Sequence, residues 1–89
     1  MIDGIERLLA SRESTHGFWL ENAKWGQDLR ELFRSGPGWE TMSSSQREAL
    51  DYIAGKLARL LSSEIGSSHI DTWEDIAGYA HLAATEMSR

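Results

Sequence analysis

The sequence contains no cysteine. Disulfide bonds, thiolate zinc sites, iron–sulfur clusters and cysteine nucleophiles are therefore excluded, and the apolar core, alone or with a partner subunit, has to stabilise the domain. Proline occurs once and no segment alternates β-branched with polar residues, so we expect no strands. There is no run of about 18 apolar residues, and no basic stretch precedes an apolar one at the N-terminus. We therefore expect neither a membrane-spanning helix nor a signal peptide.

Length and charge limit the function further. We expect residues 1–89 to form a single domain, which is too small for separate cofactor and substrate domains. The formal net charge is −5 and is unevenly placed, because residues 1–61 carry nine acidic and eight basic side chains whereas residues 62–89 carry five acidic and one basic. We expect the acidic C-terminal part to repel a nucleic-acid backbone and to attract a basic protein surface.

Apolar residues recur at helical spacing in three long segments, at about 18–33, 44–62 and 72–87. Each predicted helix start is marked by a capping box or a preceding polar loop. The predicted capping boxes are Asp3 with Glu6, Ser43 with Gln46, and Asp71 with Glu74. The predicted fold is all-α, a compact bundle of three main helices plus a short N-terminal helix.

Three glycines, Gly26, Gly55 and Gly78, lie inside predicted helices, where each costs about 1 kcal/mol relative to alanine. Two explanations are open. Either two helices pack closely where no side chain fits, or a ligand or partner approaches the backbone there. We expect the last two helices to lie side by side with Gly55 facing Gly78, leaving their acidic flanks free for something outside the chain.

Acidic side chains on those two helices form a candidate metal site. Its members are Glu48, Asp51, Asp71 and Asp75. If the helices pack antiparallel, the carboxylates could converge on magnesium or manganese, which are hard ions that can hold a nucleotide phosphate. The structural explanation also stays open, because Asp71 is predicted to cap its helix and Glu48 and Asp75 lie in first turns, where negative charge complements the helix dipole.

Tryptophan is abundant, with four residues in the chain. Trp25 and Trp73 fall on the predicted core stripes, whereas Trp19 and Trp39 do not. A large aromatic residue at a partly exposed position either anchors an interface or covers the end of a small bundle. We expect a partner-binding surface that combines aromatic and acidic side chains. Its predicted members are Trp19, Trp39, Asp71, Glu74, Asp75 and Tyr79.

From about residue 16, segments over most of the chain match one family of proteins. The most specific segment is Trp73-Glu74-Asp75-Ile76-Ala77-Gly78-Tyr79-Ala80. The other matching segments are His16-Gly17, Asn22-Ala23, Gln27, Trp39, Gln46-Arg47-Glu48-Ala49-Leu50 and Lys56-Leu57-Ala58-Arg59-Leu60. In these residues the chain resembles a family of small helical proteins of unknown function encoded by tailed phages and prophages. The resemblance implies a phage product that acts in the cytoplasm of a bacterial host.

The chain is also distantly similar to the MazG-like all-α nucleotide pyrophosphohydrolases. That family binds magnesium through Glu-Glu-x-x-Glu on one helix and Glu-x-x-Asp on the next. Glu48-Ala49-Leu50-Asp51 fits the second half, but the first half is missing, so Asp71 and Asp75 would have to substitute.

Three classes of function follow. The favoured hypothesis is a small acidic binding protein, without catalysis or cofactor, that antagonises a host protein or complex, such as a defence inhibitor of the anti-CRISPR type. It would act by protein–protein binding or by sequestering a nucleotide, with Arg47, Lys56 and Arg59 as the candidate donors. The second class, the alternative, is an enzyme, a metal-dependent nucleoside triphosphate pyrophosphohydrolase. The third class is a purely structural protein, a small bundle that dimerises to complete its core. A homo-oligomer is expected under every hypothesis, because one short bundle has little apolar area of its own.

Overall fold

The computed structural model describes residues 19–63 and 69–87, together with the single residue Ile5. Helix α1 spans Trp19–Ser35, a 3-10 helix spans Pro37–Thr41, α2 spans Ser44–Ser62 and α3 spans Ile70–Met87. The described residues contain no strand, so the helical class and the three main helices are confirmed. The short helix predicted from Asp3 and Glu6 lies outside the described residues. None of the described helices is long and apolar enough to cross a membrane.

The turn between α1 and α2 is built from local hydrogen bonds. Ser35 Oγ donates to the carbonyl oxygen of Leu32 (2.6 Å), which closes the last turn of α1. Pro37 begins the 3-10 helix, where its fixed φ suits a first helical position and its missing N–H is no loss. The chain therefore reverses within a few residues, and α1 and α2 lie antiparallel as neighbours.

The capping box predicted at the start of α2 is confirmed. The backbone N–H of Gln46 donates to Ser43 Oγ (3.2 Å), and the backbone N–H of Ser43 donates to Gln46 Oε1 (2.8 Å). Two N–H groups that lack a partner within the helix are satisfied in this way. Helix α2 therefore begins directly after Ser43, as the capping box predicts.

The capping box predicted at Asp71 and Glu74 is wrong. Helix α3 begins at Ile70, and the backbone N–H groups of Thr72 and Trp73 both donate to the carbonyl oxygen of His69 (3.1 and 3.2 Å). Asp71 is therefore already inside the first turn, where its charge complements the helix dipole instead of capping the helix.

Helix α2 lies in the middle of the described bundle and packs against both α1 and α3, whereas α1 and α3 have little contact with each other. Small residues form the contact surfaces. The buried helical residues are Gly26 on α1, Ala54, Ala58 and Ser62 on α2, and Thr72 on α3. Small side chains let the helix axes approach closely, and the three helices form one layer.

This arrangement corrects the predicted core. Trp25 and Trp73 were expected to be buried on the core stripes, but they are 39% and 47% exposed. Because small residues occupy the contact surfaces between the helices, large apolar side chains such as Trp25 and Trp73 lie beside these contact surfaces rather than within them. The layer therefore presents two broad faces that differ in chemistry.

Candidate functional site: a cationic groove over the central helix

A groove of about 440 Å³ runs along one face of the layer, with α2 as its floor and α1 and α3 on its two sides. Polar and aromatic side chains from all three helices line it. The lining residues are Trp19, Asn22, Ala23, Gly26, Gln27, Arg30, Tyr52, Gly55, Lys56, Ala58, Arg59 and Tyr79. Three of them carry a positive charge and none carries a negative charge.

Arg30 lies across the floor of this groove, and two glycines make room for it. A Cβ atom on Gly26 would lie 3.0 Å from Arg30 Nη1, and one on Gly55 would lie 3.2 Å from Arg30 Nη2. Arg30 Nη2 also donates to the carbonyl oxygen of Asp51 at 3.0 Å, which holds the guanidinium in place. Two of the three unfavourable helix glycines are thus explained by one arginine side chain.

The other two cations of the groove belong to α2. Lys56 Nζ lies 3.0 Å from Asp75 Oδ2 of α3, and the lysine side chain is only 19% exposed. Arg30 and Arg59 form no ion pair with any acidic residue of the described ranges. The groove therefore holds positive charge that the described part of the chain leaves without a carboxylate partner.

Aromatic rings form the rest of the groove surface. Tyr52 of α2 and Tyr79 of α3 are stacked, with ring centroids 5.0 Å apart and an interplanar angle of 11°. Trp19, at the start of α1, is 68% exposed. The groove thus combines cationic hydrogen-bond donors with flat aromatic surfaces.

No family model, curated protein or solved structure matches this chain. The chemistry of the groove itself is therefore the basis for assigning a function.

The four predicted metal ligands are not brought together. Glu48 lines a separate small depression on the other side of the tyrosine pair, and Asp71 is exposed in the first turn of α3. Asp51 and Asp75 are engaged by cations from neighbouring helices, since Arg34 Nη2 lies 3.3 Å from both carboxylate oxygens of Asp51 and Lys56 pairs with Asp75. In residues 19–63 and 69–87 no group of three or more histidine or acidic side chains could hold a metal ion.

The predicted contact between Gly55 and Gly78 is wrong. A Cβ atom on Gly55 would meet Arg30 of α1, and one on Gly78 would meet nothing within 4 Å. Gly55 faces the groove and α1 because Arg30 needs that space, whereas Gly78 lies on an open side of α3. The acidic residues beside these glycines are not left free either, because Asp51 and Asp75 form ion pairs with Arg34 and Lys56.

The predicted partner-binding surface is divided by the structure. Trp39 is buried (9% exposed), with the guanidinium carbons of Arg34 and Arg47 each 5.5 Å from its ring. Of the two interpretations of Trp39, the structure favours the one in which it covers the end of the bundle. Trp19 is exposed as expected, and so are Asp71 and Glu74 on α3.

One of the candidate nucleotide donors also changes. Arg47 Nε donates to the carbonyl oxygen of Trp39 (3.1 Å), so this arginine is used to close the α1–α2 turn. Lys56 and Arg59 do line the groove, as the nucleotide hypothesis requires, and Arg30 takes the place that was assigned to Arg47. The spacing of Arg30 four residues after Gly26 was the sequence signal for it, since both residues share one side of α1.

Proposed function

We propose that this protein is a non-catalytic binding protein that sequesters a nucleotide in the groove over α2. The observation that carries the proposal is the set of three groove cations, Arg30, Lys56 and Arg59, of which only Lys56 is paired with a described carboxylate. A phosphate group carries the complementary charge, and arginine donates to phosphate oxygens in a planar, two-pronged geometry.

The aromatic surfaces favour a nucleotide over a simple inorganic anion. The exposed indole of Trp19 offers a flat face at the edge of the groove, and the Tyr52–Tyr79 pair forms an apolar wall on the α3 side. Stacking of a base on an aromatic side chain contributes about 1–3 kcal/mol. A ligand with both a base and a phosphate would use both halves of the groove.

Sequestration is favoured over hydrolysis because of where the carboxylates lie. Hydrolysis in the manner of a MazG-like enzyme needs clustered carboxylates to hold the metal, and Asp51 and Asp75 are instead ion-paired with Arg34 and Lys56. The groove supplies positive charge directly from its own side chains, which suits holding a phosphate in place.

The biological setting of the proposal comes from the sequence. The resemblance to small phage-encoded helical proteins suggests a product that acts in the cytoplasm of a bacterial host. A protein that removes a signalling nucleotide would there act as an inhibitor of host defence, comparable in role to an anti-CRISPR protein.

The proposal is tested by thermal shift and calorimetry against a panel of nucleotides that includes mono-, di- and triphosphates and cyclic and linear dinucleotides. A ligand at about 100 times its Kd adds about 2.7 kcal/mol to the free energy of unfolding, which a thermal shift detects readily in a domain of this size. Chromatography of the nucleotide after incubation should return it unchanged.

A matched pair of variants locates the site. Arg59→Gln removes one groove cation and should weaken binding at least tenfold, which corresponds to about 1.4 kcal/mol. Lys24→Gln makes the same change of charge at an α1 lysine that is 71% exposed and outside the groove, and should leave Kd unchanged. Equal loss in both variants, or turnover of the nucleotide, would contradict the proposal. If no nucleotide binds, exposed Asp71 and Glu74 remain the candidates for contact with a basic host protein.

A further inference from the structure

The face of the layer opposite the groove is apolar. Five large side chains that define this apolar face, Trp25, Leu32, Leu61, Trp73 and Met87, are between 39% and 68% exposed. They come from all three helices, so the face extends across the whole layer rather than along one helix.

Helical geometry places these side chains away from the groove. Two residues along an α-helix correspond to a rotation of about 200°, which is nearly the opposite side. Leu32 is two residues from Arg30, and Leu61 is two residues from Arg59. On α3, Trp73 is two residues from Asp75, whose carboxylate pairs with the groove lysine.

The charge of the apolar face differs from helix to helix. Leu57 on α2 and Ala80 on α3, which share its side of their helices, are apolar. On α1, Glu21 and Asp28 lie one turn before Trp25 and Leu32, and Asp28 pairs with Lys24 at 3.9 Å. The part of the face that α2 and α3 form is compatible with a copy of itself, since two-fold symmetry brings no like charges together there.

A single layer of helices cannot bury its own apolar side chains. Among the described residues, the buried apolar side chains are only Trp39, Ala54 and Ala58. A stable domain is normally built from at least two packed layers, and a chain of this size without cysteine cannot use disulfide bonds to compensate.

We propose that the apolar face is the interface of a homodimer, in which a second copy of the chain supplies the missing layer. Three helices of 17 to 19 residues form a face about 27 Å long and about 30 Å wide, or about 800 Å², which matches the area that one partner buries in a standard interface. Tryptophan and methionine are enriched at interfaces, and both occur on this face. The two grooves then face outward on opposite sides of the dimer. The inference does not depend on which ligand the grooves bind.

The test is the mass of the full chain in solution, measured by light scattering after size-exclusion chromatography over a dilution series. The wild type should show about twice the 10.0 kDa of one chain and should shift toward one chain on dilution. Leu32→Glu and Leu61→Glu each place a charge on the apolar face and should weaken the dimer at least tenfold.

Leu82→Glu is the matched control. Leu82 is 63% exposed, against 66% for Leu32, but it lies beside the tyrosine pair on the groove side of α3. This variant should dissociate at the same concentration as the wild type. Because an unfolded variant would also lose the dimer, helicity is measured by circular dichroism, and only face variants that keep the wild-type helicity are compared with Leu82→Glu.

Two outcomes would overturn the proposal. The first is equal dissociation of Leu32→Glu and Leu82→Glu. The second is a wild-type mass of one chain at every concentration; if the melting temperature of this monomer then falls with Leu32→Glu, another part of the same chain covers the apolar face.

Discussion

Gly78 provides a sharp test of how the helices pack. It lies in the interior of α3, and a Cβ atom built on it would meet nothing within 4 Å. Alanine is favoured over glycine in a helix interior by about 0.8–1.0 kcal/mol, chiefly because glycine loses more backbone entropy on folding. Since no contact offsets this gain, Gly78→Ala should raise the free energy of unfolding by about 0.5–1 kcal/mol.

Gly55→Ala is the matched comparison, because its expected effect on the free energy of unfolding differs from that of Gly78→Ala. The same gain in helix propensity is available at Gly55, but the new methyl group would lie 3.2 Å from Arg30 Nη2. The guanidinium would have to shift, and its 3.0 Å hydrogen bond to the Asp51 carbonyl oxygen would weaken. A neutral hydrogen bond contributes about 1 kcal/mol and one from a charged donor contributes more. Gly55→Ala should therefore be neutral or destabilising.

Urea denaturation followed by circular dichroism measures both effects. With an m-value of about 1 kcal/mol/M, Gly78→Ala should raise the midpoint by about 0.5–1 M. All variants are compared at one protein concentration, because dimerisation makes apparent stability depend on concentration. A fall in the midpoint for Gly78→Ala would show that another surface approaches Gly78 closely, and a rise of equal size for Gly55→Ala would show that Arg30 does not occupy the groove floor.

Three further predictions concern stability and use the same urea assay. Ser43→Ala removes the side-chain half of the capping box and should cost about 1 kcal/mol; no change would mean that the N-terminus of α2 is held elsewhere. Trp39→Ala should cost about 3 kcal/mol or more because this ring is buried, whereas Trp19→Ala should cost less than about 0.5 kcal/mol; similar losses would refute their different burial. Asp51→Asn should cost less than about 1 kcal/mol, since its ion pair with Arg34 is partly exposed; a larger loss would indicate a more buried pair.

Local signals in the sequence predicted the helices well. The segments expected at about 18–33, 44–62 and 72–87 correspond to helices at Trp19–Ser35, Ser44–Ser62 and Ile70–Met87. Helical periodicity and capping depend on residues within one or two turns of each other, so the sequence carries them directly. The start of α3 was placed too late because Asp71 and Glu74 have the spacing of a capping box, although the first i→i−4 hydrogen bond runs from the N–H of Trp73 to the carbonyl oxygen of His69 and Asp71 already lies inside the helix.

The candidate site depended on contacts between residues far apart in the chain. Arg34 and Asp51 are 17 residues apart, and Arg30 and the Asp51 carbonyl are 21 apart. The sequence alone presented Asp51 as a candidate metal ligand and did not single out Arg30. Only the packing of α1 on α2 pairs Asp51 with Arg34. The same packing places Arg30 across Gly26 and Gly55.

The sequence by itself determined the type and approximate limits of the three main helices, because these follow from local periodicity and from hydrogen bonds within a few residues. The tertiary structure decided which side of each helix meets a neighbour. Small residues such as Ala54, Ala58 and Thr72 occupy the contacts between helices. Several large apolar side chains are therefore left on one face, and the groove cations lie on the other face together with aromatic rings. The apolar periodicity of a helix predicts which of its side chains are apolar and share one side. How closely the neighbouring helices approach determines whether the chain itself buries those side chains.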